Sequence, residues 1–200
     1  MKNWLVREPQ QNACPAPPRQ WADALCISPL LLEILWRRGL SEKQAMDAFL
    51  TARLDSLTPP DQWPQMPEAA QLLASELLAG KKLAVWGDYD VDGVTAATLV
   101  LDVLESHGIT ASWHIPDRRS EGYGLNVQHI EALAAEGCGI LLTVDCGISD
   151  VEPVRRAREL GMTVVVSDHH LPPAELPPAN AICNPKVCAA ADLPYPHLAG

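Results

Sequence analysis

LAVWGDYDVDG, residues 83–93, sets an apolar run against three aspartates in five residues, Asp88, Asp90 and Asp92. The apolar run reads as a buried strand, and the segment that follows, VDGVTAATLVLDVL, repeats its apolar residues at helical spacing. The aspartates therefore lie where a strand turns into a helix. GILLTVDCG (139–147) and TVVVSDHH (163–170) end in the same way, at Asp145 and Asp168, and a fourth, shorter run ends near Asp117. Carboxylates at the C-terminal ends of several strands mark the place where α/β folds build active sites.

Working outward, the pattern predicts strands near 82–87, 111–115, 140–145 and 162–167, with helices near 92–107, 126–136 and 149–160 between them. Apolar strands separated by helices of that length imply βαβ units, hence an α/β fold with a parallel sheet carrying helices on both faces. Right-handed crossovers bring the strand C-termini to one edge, where Asp88, Asp117, Asp145 and Asp168 are expected together. A small helical N-terminal segment precedes this: residues 1–28, with Pro9, Pro15, Pro17 and Pro18, read as an irregular lead-in. A helix then starts at Pro29 and closes at Gly39, and Ser41 is expected to cap the next one. EAAQLLASELLAG reads as a further helix ending at Gly80. Two regions result: 1–65, irregular and helical, and 66–200, the α/β domain. From Leu171 the chain is proline-rich with little periodicity and reads as an extended connection, so the 200 residues are expected to be part of a longer protein, truncated at the C-terminal end of the domain.

The chain is 48% hydrophobic and 20% charged, the composition of a globular protein. No uncharged apolar run approaches a membrane-spanning length, and MKNWLVREPQ has no secretory core, which predicts a cytoplasmic location. The six cysteines form no CxxC pair and have no histidine at zinc-site spacing, so reduced structural thiols are expected. A net charge of −10 argues against a broad basic surface for duplex DNA, yet it leaves nucleic acid open, because a carboxylate-rich site attracts phosphate once divalent cations load it.

GDYDVDG begins as an EF-hand loop does, but the twelfth position counted from Asp88 is Leu99 where a calcium loop needs Glu. Helix capping alone accounts for one or two of the aspartates and not for all of them. Two carboxylates about 4 Å apart repel by about 4 kcal/mol at an effective dielectric of about 20. Several on one edge therefore call for cations or raised pKa values. Asp145 on its own reads as a helix cap. SDHH (167–170) adds imidazole nitrogen to carboxylate oxygen, a mixture that suits manganese or a similar divalent ion better than calcium.

In that order and with helices between them, GDYDVDG, TVDCG and SDHH resemble the first three motifs of the DHH phosphoesterase superfamily. PDRRSEGYGLN (116–126), with the helical LWRRGLSEKQAMDAFL and the LTPPDQWPQMPEAAQLL run before it, is similar to the RecJ branch of single-strand-specific 5′→3′ exonucleases. The resemblance implies two Mn²⁺ (or Mg²⁺) ions in the complete protein. Asp88 and Asp90 would ligate separate ions, Asp145 would bridge them and His169 would be a further ligand. It also implies that His170 faces the scissile phosphate and that Asp92 and Asp168 orient the ligands. Some relatives, the DHH pyrophosphatases among them, carry a histidine four residues before the first aspartate, where Ala84 stands here. The family uses a further acidic ligand downstream and PYPHLAG resembles the approach to it, so the chain as given is expected to lack a complete site.

Beyond the second strand, Arg118, Arg119, Tyr123 and Gly124 suit nucleic-acid binding, an arginine on a backbone phosphate and Tyr123 stacked on a base; the plainer reading is a glycine turn beside a solvated face. Arg155, Arg156 and Arg158 read as an exposed helix face. The expected substrate and partner is single-stranded DNA, degraded from its 5′ end in repair and recombination. By family likeness alone, a single-strand-binding protein and a RecQ-type helicase join it. Two alternatives stand beside this: a DHH phosphoesterase acting on short oligonucleotides, cyclic dinucleotides or pyrophosphate, and a catalytically inactive RecJ-like replication scaffold.

Overall fold

A computed structural model describes residues 16–51 and 53–187. They fall into two compact units that divide between Leu57 and Thr58. The first holds α1 (Gln20–Ala24), α2 (Pro29–Arg37) and α3 (Lys43–Leu50) around Ala22, Leu32, Leu35 and Met46. The short α1 falls in the stretch expected to be irregular. Its five residues are too few for a periodic signal, and packing of Ala22 and Trp21 into the cluster holds it in place of propensity. Ser28 caps α2, its Oγ accepting the Leu31 N–H at 3.2 Å, and Pro29 occupies the first helical position. The cap position of α3 is Glu42, not the expected Ser41, and its side chain makes no capping bond.

The second unit contains α4 (Met66–Leu78), then β1 (Lys82–Gly87), α5 (Val91–Ser106), β2 (Ser112–His114), α6 (Val127–Ala135), β3 (Cys138–Val144), α7 (Val151–Glu159), β4 (Thr163–Ser167) and β5 (Ala181–Cys183). All strand pairs are parallel and the order is β2-β1-β3-β4-β5. Alternation within the strands sends Leu83, Val85, Ile140 and Leu142 to one face, where Ala69 of α4 and Ala97 of α5 pack. Ala84, Trp86, Leu141 and Val164 face the other way, against Ile130 of α6 and Val154 and Ala157 of α7. The expected doubly covered parallel sheet is present.

The sheet has one strand more than the sequence suggested. β5 lies inside the proline-rich stretch expected to be a bare connection; Asn180 starts it, donating its N–H to the Val164 carbonyl while its Oδ1 accepts the Val164 N–H, both at 2.8 Å. Among the described residues Cys26, Cys138 and Cys146 are free thiols. Cys14, Cys188 and the PYPHLAG segment lie outside the described residues.

Candidate metal centre at the strand ends

The chain leaves β1 towards β2 on one side and places β3, β4 and β5 on the other. Neighbouring strands with divergent connections open a crevice at their carboxyl ends. Asp88 follows β1 and Asp145 follows β3, so the two aspartates flank that crevice.

Asp88 is buried, and its Oδ1 accepts the Tyr89 N–H at 2.7 Å. Burial raises its pKa, partly offset by that N–H, and the charge of Asp90 pushes the same way. Asp90 is the N-cap of α5, its Oδ1 accepting the N–H groups of Asp92 (2.9 Å) and Gly93 (3.1 Å). The Gly93 N–H is the main reason its carboxyl sits below the ordinary value. A Cβ on Gly93 would lie 2.4 Å from both the nitrogen and the oxygen of Asp88, so only glycine lets the first turn of α5 close onto the strand end.

Asp145 is fully buried and has a left-handed φ of +63°, a conformation that costs a non-glycine residue energy and recurs at functional sites. Its N–H donates to the Ser167 carbonyl at 2.9 Å, which fixes the backbone against β4. Neither carboxylate oxygen has a hydrogen-bond partner. His169 Nε2 lies 3.1 Å from Oδ1, close enough for ion pairing but not aligned for a hydrogen bond. Burial first, then the charge and contact of Asp90, raise the Asp145 pKa to about 7. A buried carboxylate left unpaired costs several kcal/mol.

Asp168 is equally buried and has partners for both oxygens. Its Oδ1 accepts the N–H groups of His169 (2.7 Å) and His170 (3.0 Å) and stands 2.7 Å from His170 Nδ1, while Oδ2 accepts the Ile148 N–H at 2.9 Å. A carboxylate at Nδ1 puts the ring proton there and leaves Nε2 as the free lone pair. The Tyr123 hydroxyl lies 3.2 Å from the same Nδ1.

Ligand atoms of Asp88, Asp90 and Asp145 converge within 4.8 Å of one another, and those of Asp145, His169 and His170 do the same. Asp145 belongs to both groups. The unpartnered buried oxygens and the mixed oxygen and nitrogen donors fit divalent cations, which would provide the partners that the protein withholds.

Other predicted residues lie at or beyond the rim. Asp92 is exposed in the first turn of α5 and belongs to neither group, although its charge adds to the rise at Asp145. Asp117, expected to share the carboxylate edge, instead closes a turn: its Oδ1 accepts the Arg119 and Ser120 N–H groups and the Ser120 hydroxyl. It comes three residues after β2, too late to face the crevice as the others do. The Arg118 guanidinium lies 5.4 Å from the Tyr89 ring centroid, and Tyr89, Tyr123 and His170 follow edge to face at 6.4 and 5.7 Å. Arg119 is exposed. Arg155 and Arg156 form surface ion pairs with Glu152, Glu175, Glu131 and Glu159, as a solvated helix face does. Gly124 has φ +84°, and a Cβ there would lie 2.6 Å from Asp150 Oδ1, while Asp150 Oδ2 accepts the Leu125 N–H at 3.0 Å. Sequence reasoning missed Asp150, which holds the GYGL turn beside the crevice; in the sequence it is merely the polar residue before a helix.

Residues 82–193 match the model of the DHH family, N-terminal domain. The chain belongs to the DHH family. Its relatives there include the single-stranded-DNA-specific exonuclease RecJ of Bacillus subtilis, 34% identical over 98% of this chain and 24% of the relative, and that of Escherichia coli, 34% identical over 87% and 30%. Among solved structures, RecJ from Thermus thermophilus in complex with Mn²⁺ aligns at 31% identity with a TM-score of 0.62, over 86% of this chain and 24% of that one. A crystal structure of exonuclease RecJ bound to manganese aligns at 35% identity with a TM-score of 0.60, over 67% and 34%. The chain thus spans about a quarter to a third of the length of these relatives. Ala84 is a buried core residue of β1.

Proposed function

We propose that this chain carries the metal-binding core of a single-stranded-DNA-specific 5′→3′ exonuclease acting in repair and recombination in the cytoplasm. The observation that carries the reading is Asp145: a fully buried carboxylate, held in a strained backbone, with two unpartnered oxygens shared between two ligand groups. RecJ relatives act on single-stranded DNA and their structures hold Mn²⁺, which supports the same substrate and ion here. Among the described residues no helix is long and apolar enough to cross a membrane.

In this reading Asp88, Asp90, Asp145 and His169 would hold the divalent ions, with Asp145 common to both groups of ligand atoms. Bound Mn²⁺ would supply Lewis-acid polarisation of the phosphate and lower the pKa of the attacking water. The other work falls to the protein. Asp88 and Asp90 are fixed by backbone N–H groups, so little ordering is left to be done when substrate arrives. Asp168 orients His170, whose Nε2 lone pair would face the scissile phosphate and accept a proton from the attacking water. Asp92 adds negative potential and helps align the ligands. Arg118 and Arg119 take backbone phosphates, and Tyr123 stacks on a base, with Gly124 shaping the turn beneath it.

The test is manganese-dependent release of nucleotides from 5′- and 3′-labelled single strands, by this chain beside a longer protein that contains it. Release from the 5′ end that disappears with Asp145→Asn supports the reading; preference for a dinucleotide or pyrophosphate would move the assignment to a small-substrate DHH phosphoesterase.

A further inference from the structure

A second group of ligating side chains lies away from the aspartates. His114 ends β2, His129 is in the first turn of α6, and Glu121 comes from the loop between them. The imidazoles lie with centroids 4.6 Å apart at 35°, and the Trp86 ring backs His114 at 4.2 Å and meets His129 edge-on at 5.9 Å. Both rings turn the same atom, Nε2, to one oxygen, Glu121 Oε2, at 2.7 Å for His114 and 3.6 Å for His129. The other oxygen, Oε1, accepts the Asp117 N–H at 3.1 Å, which fixes the carboxylate plane. The side chains are only 20–40% exposed.

We propose that His114, Glu121 and His129 form a second metal site, selective for Zn²⁺ or a similarly nitrogen-preferring ion. Two imidazoles and one carboxylate with a fourth position left for water is an established zinc donor set. Bonds of about 2.0–2.1 Å in a tetrahedron place ligand atoms about 3.3 Å apart. The 2.7 and 3.6 Å separations bracket that spacing, so taking up an ion needs the pairs to shift by only about 0.6 and 0.3 Å. The Asp117 N–H on Oε1 gives the carboxylate the outer support that metal ligands use. That same N–H, and then His114, hold the Glu121 carboxyl below its ordinary value, so it is ionised at neutral pH. The oxygen-rich aspartate centre favours manganese and this nitrogen-rich one favours zinc, so the two divide the available ions by donor type. An ion here would tie β2 and α6 to the loop that carries Arg118 and Tyr123.

The test uses the full chain with Asp88→Asn and Asp145→Asn, which silences the aspartate centre, titrated with Zn²⁺ against a chromophoric chelator and with Co²⁺ as a spectroscopic probe. The expected result is one equivalent of Zn²⁺ and the visible absorption of four-coordinate Co²⁺. His129→Gln and Glu121→Gln, each added separately, should weaken binding at least tenfold, the lower end of what loss of supporting groups alone produces, with thermal unfolding showing that each variant is folded. No Zn²⁺ uptake by the parent, or unchanged uptake in both folded variants, would overturn the proposal and leave the trio a hydrogen-bonded clasp.

Discussion

Asp145 and Asp168 end adjacent parallel strands, both are buried, and their hydrogen bonding is opposite. Asp168 has acceptor work for both oxygens, taking three backbone N–H groups and a histidine ring, whereas no backbone N–H reaches either carboxylate oxygen of Asp145, which sits against Asp90 and His169. The first is a structural strut that aims His170. The second is buried beside another carboxylate, Asp90, and burial and that neighbour disfavour its charged form. Burial thus separates neither from the other; the count of partners does.

The difference is sharpest in Asp145→Asn. If the proposed exonuclease reading holds, the substitution made in a longer protein that carries this chain should lower nuclease activity by about a thousandfold or more, in line with losing a group on which the whole constellation depends. In metal-free buffer above pH 7, where the Asp145 carboxyl is charged, the same variant should melt higher than the parent, because a buried charge facing Asp90 has gone. Nuclease assays beside thermal unfolding check both halves, and retained hydrolysis would remove Asp145 from the site. Asp168→Ala should do the reverse to stability, leaving buried N–H groups unsatisfied and costing about 3 kcal/mol in denaturant unfolding.

Gly93→Ala probes the support under the first region. Its Cβ would meet backbone of Asp88 that cannot swing aside, and overpacking of this kind costs about 1–3 kcal/mol, with weaker Mn²⁺ binding because Asp88 and Asp90 move apart. His170→Ala should lower kcat by about tenfold to a hundredfold while leaving the Mn²⁺ requirement nearly unchanged; the reverse, seen in a manganese titration of activity, would exchange the roles of the two histidines. The smallest effect belongs to the rim: Arg118→Ala should weaken single-strand binding severalfold and reduce the salt dependence by about one ion.

Much of this was legible in the chain. LAVWG, GILLTV and TVVVS are continuous apolar runs with a helical pattern after each, and parallel connection rules alone bring Asp88, Asp145 and Asp168 to one edge. β5 was not legible, since three residues between Pro178 and Pro185 carry no periodicity and pair only because β4 offers a free edge. Asp117 misled because a carboxylate after a strand reads the same whether it faces a crevice or closes a turn. Asp150, and the His114, Glu121 and His129 trio, become neighbours of their partners only through tertiary structure, and no spacing rule announces them.

The most direct measurement is the Mn²⁺-induced shift in unfolding temperature as a function of pH, for the parent and Asp145→Asn. A carboxyl raised to about 7 in the fold binds a proton that the unfolded chain has already lost, so metal-free stability falls as pH rises from about 4 to about 7. Protons and cations compete for the same oxygens, so the Mn²⁺ shift should be small at pH 5, grow through pH 7 and be largely absent in Asp145→Asn. An equal shift in both proteins, or one independent of pH, would contradict the claim that Asp145 is the carboxylate the cations require.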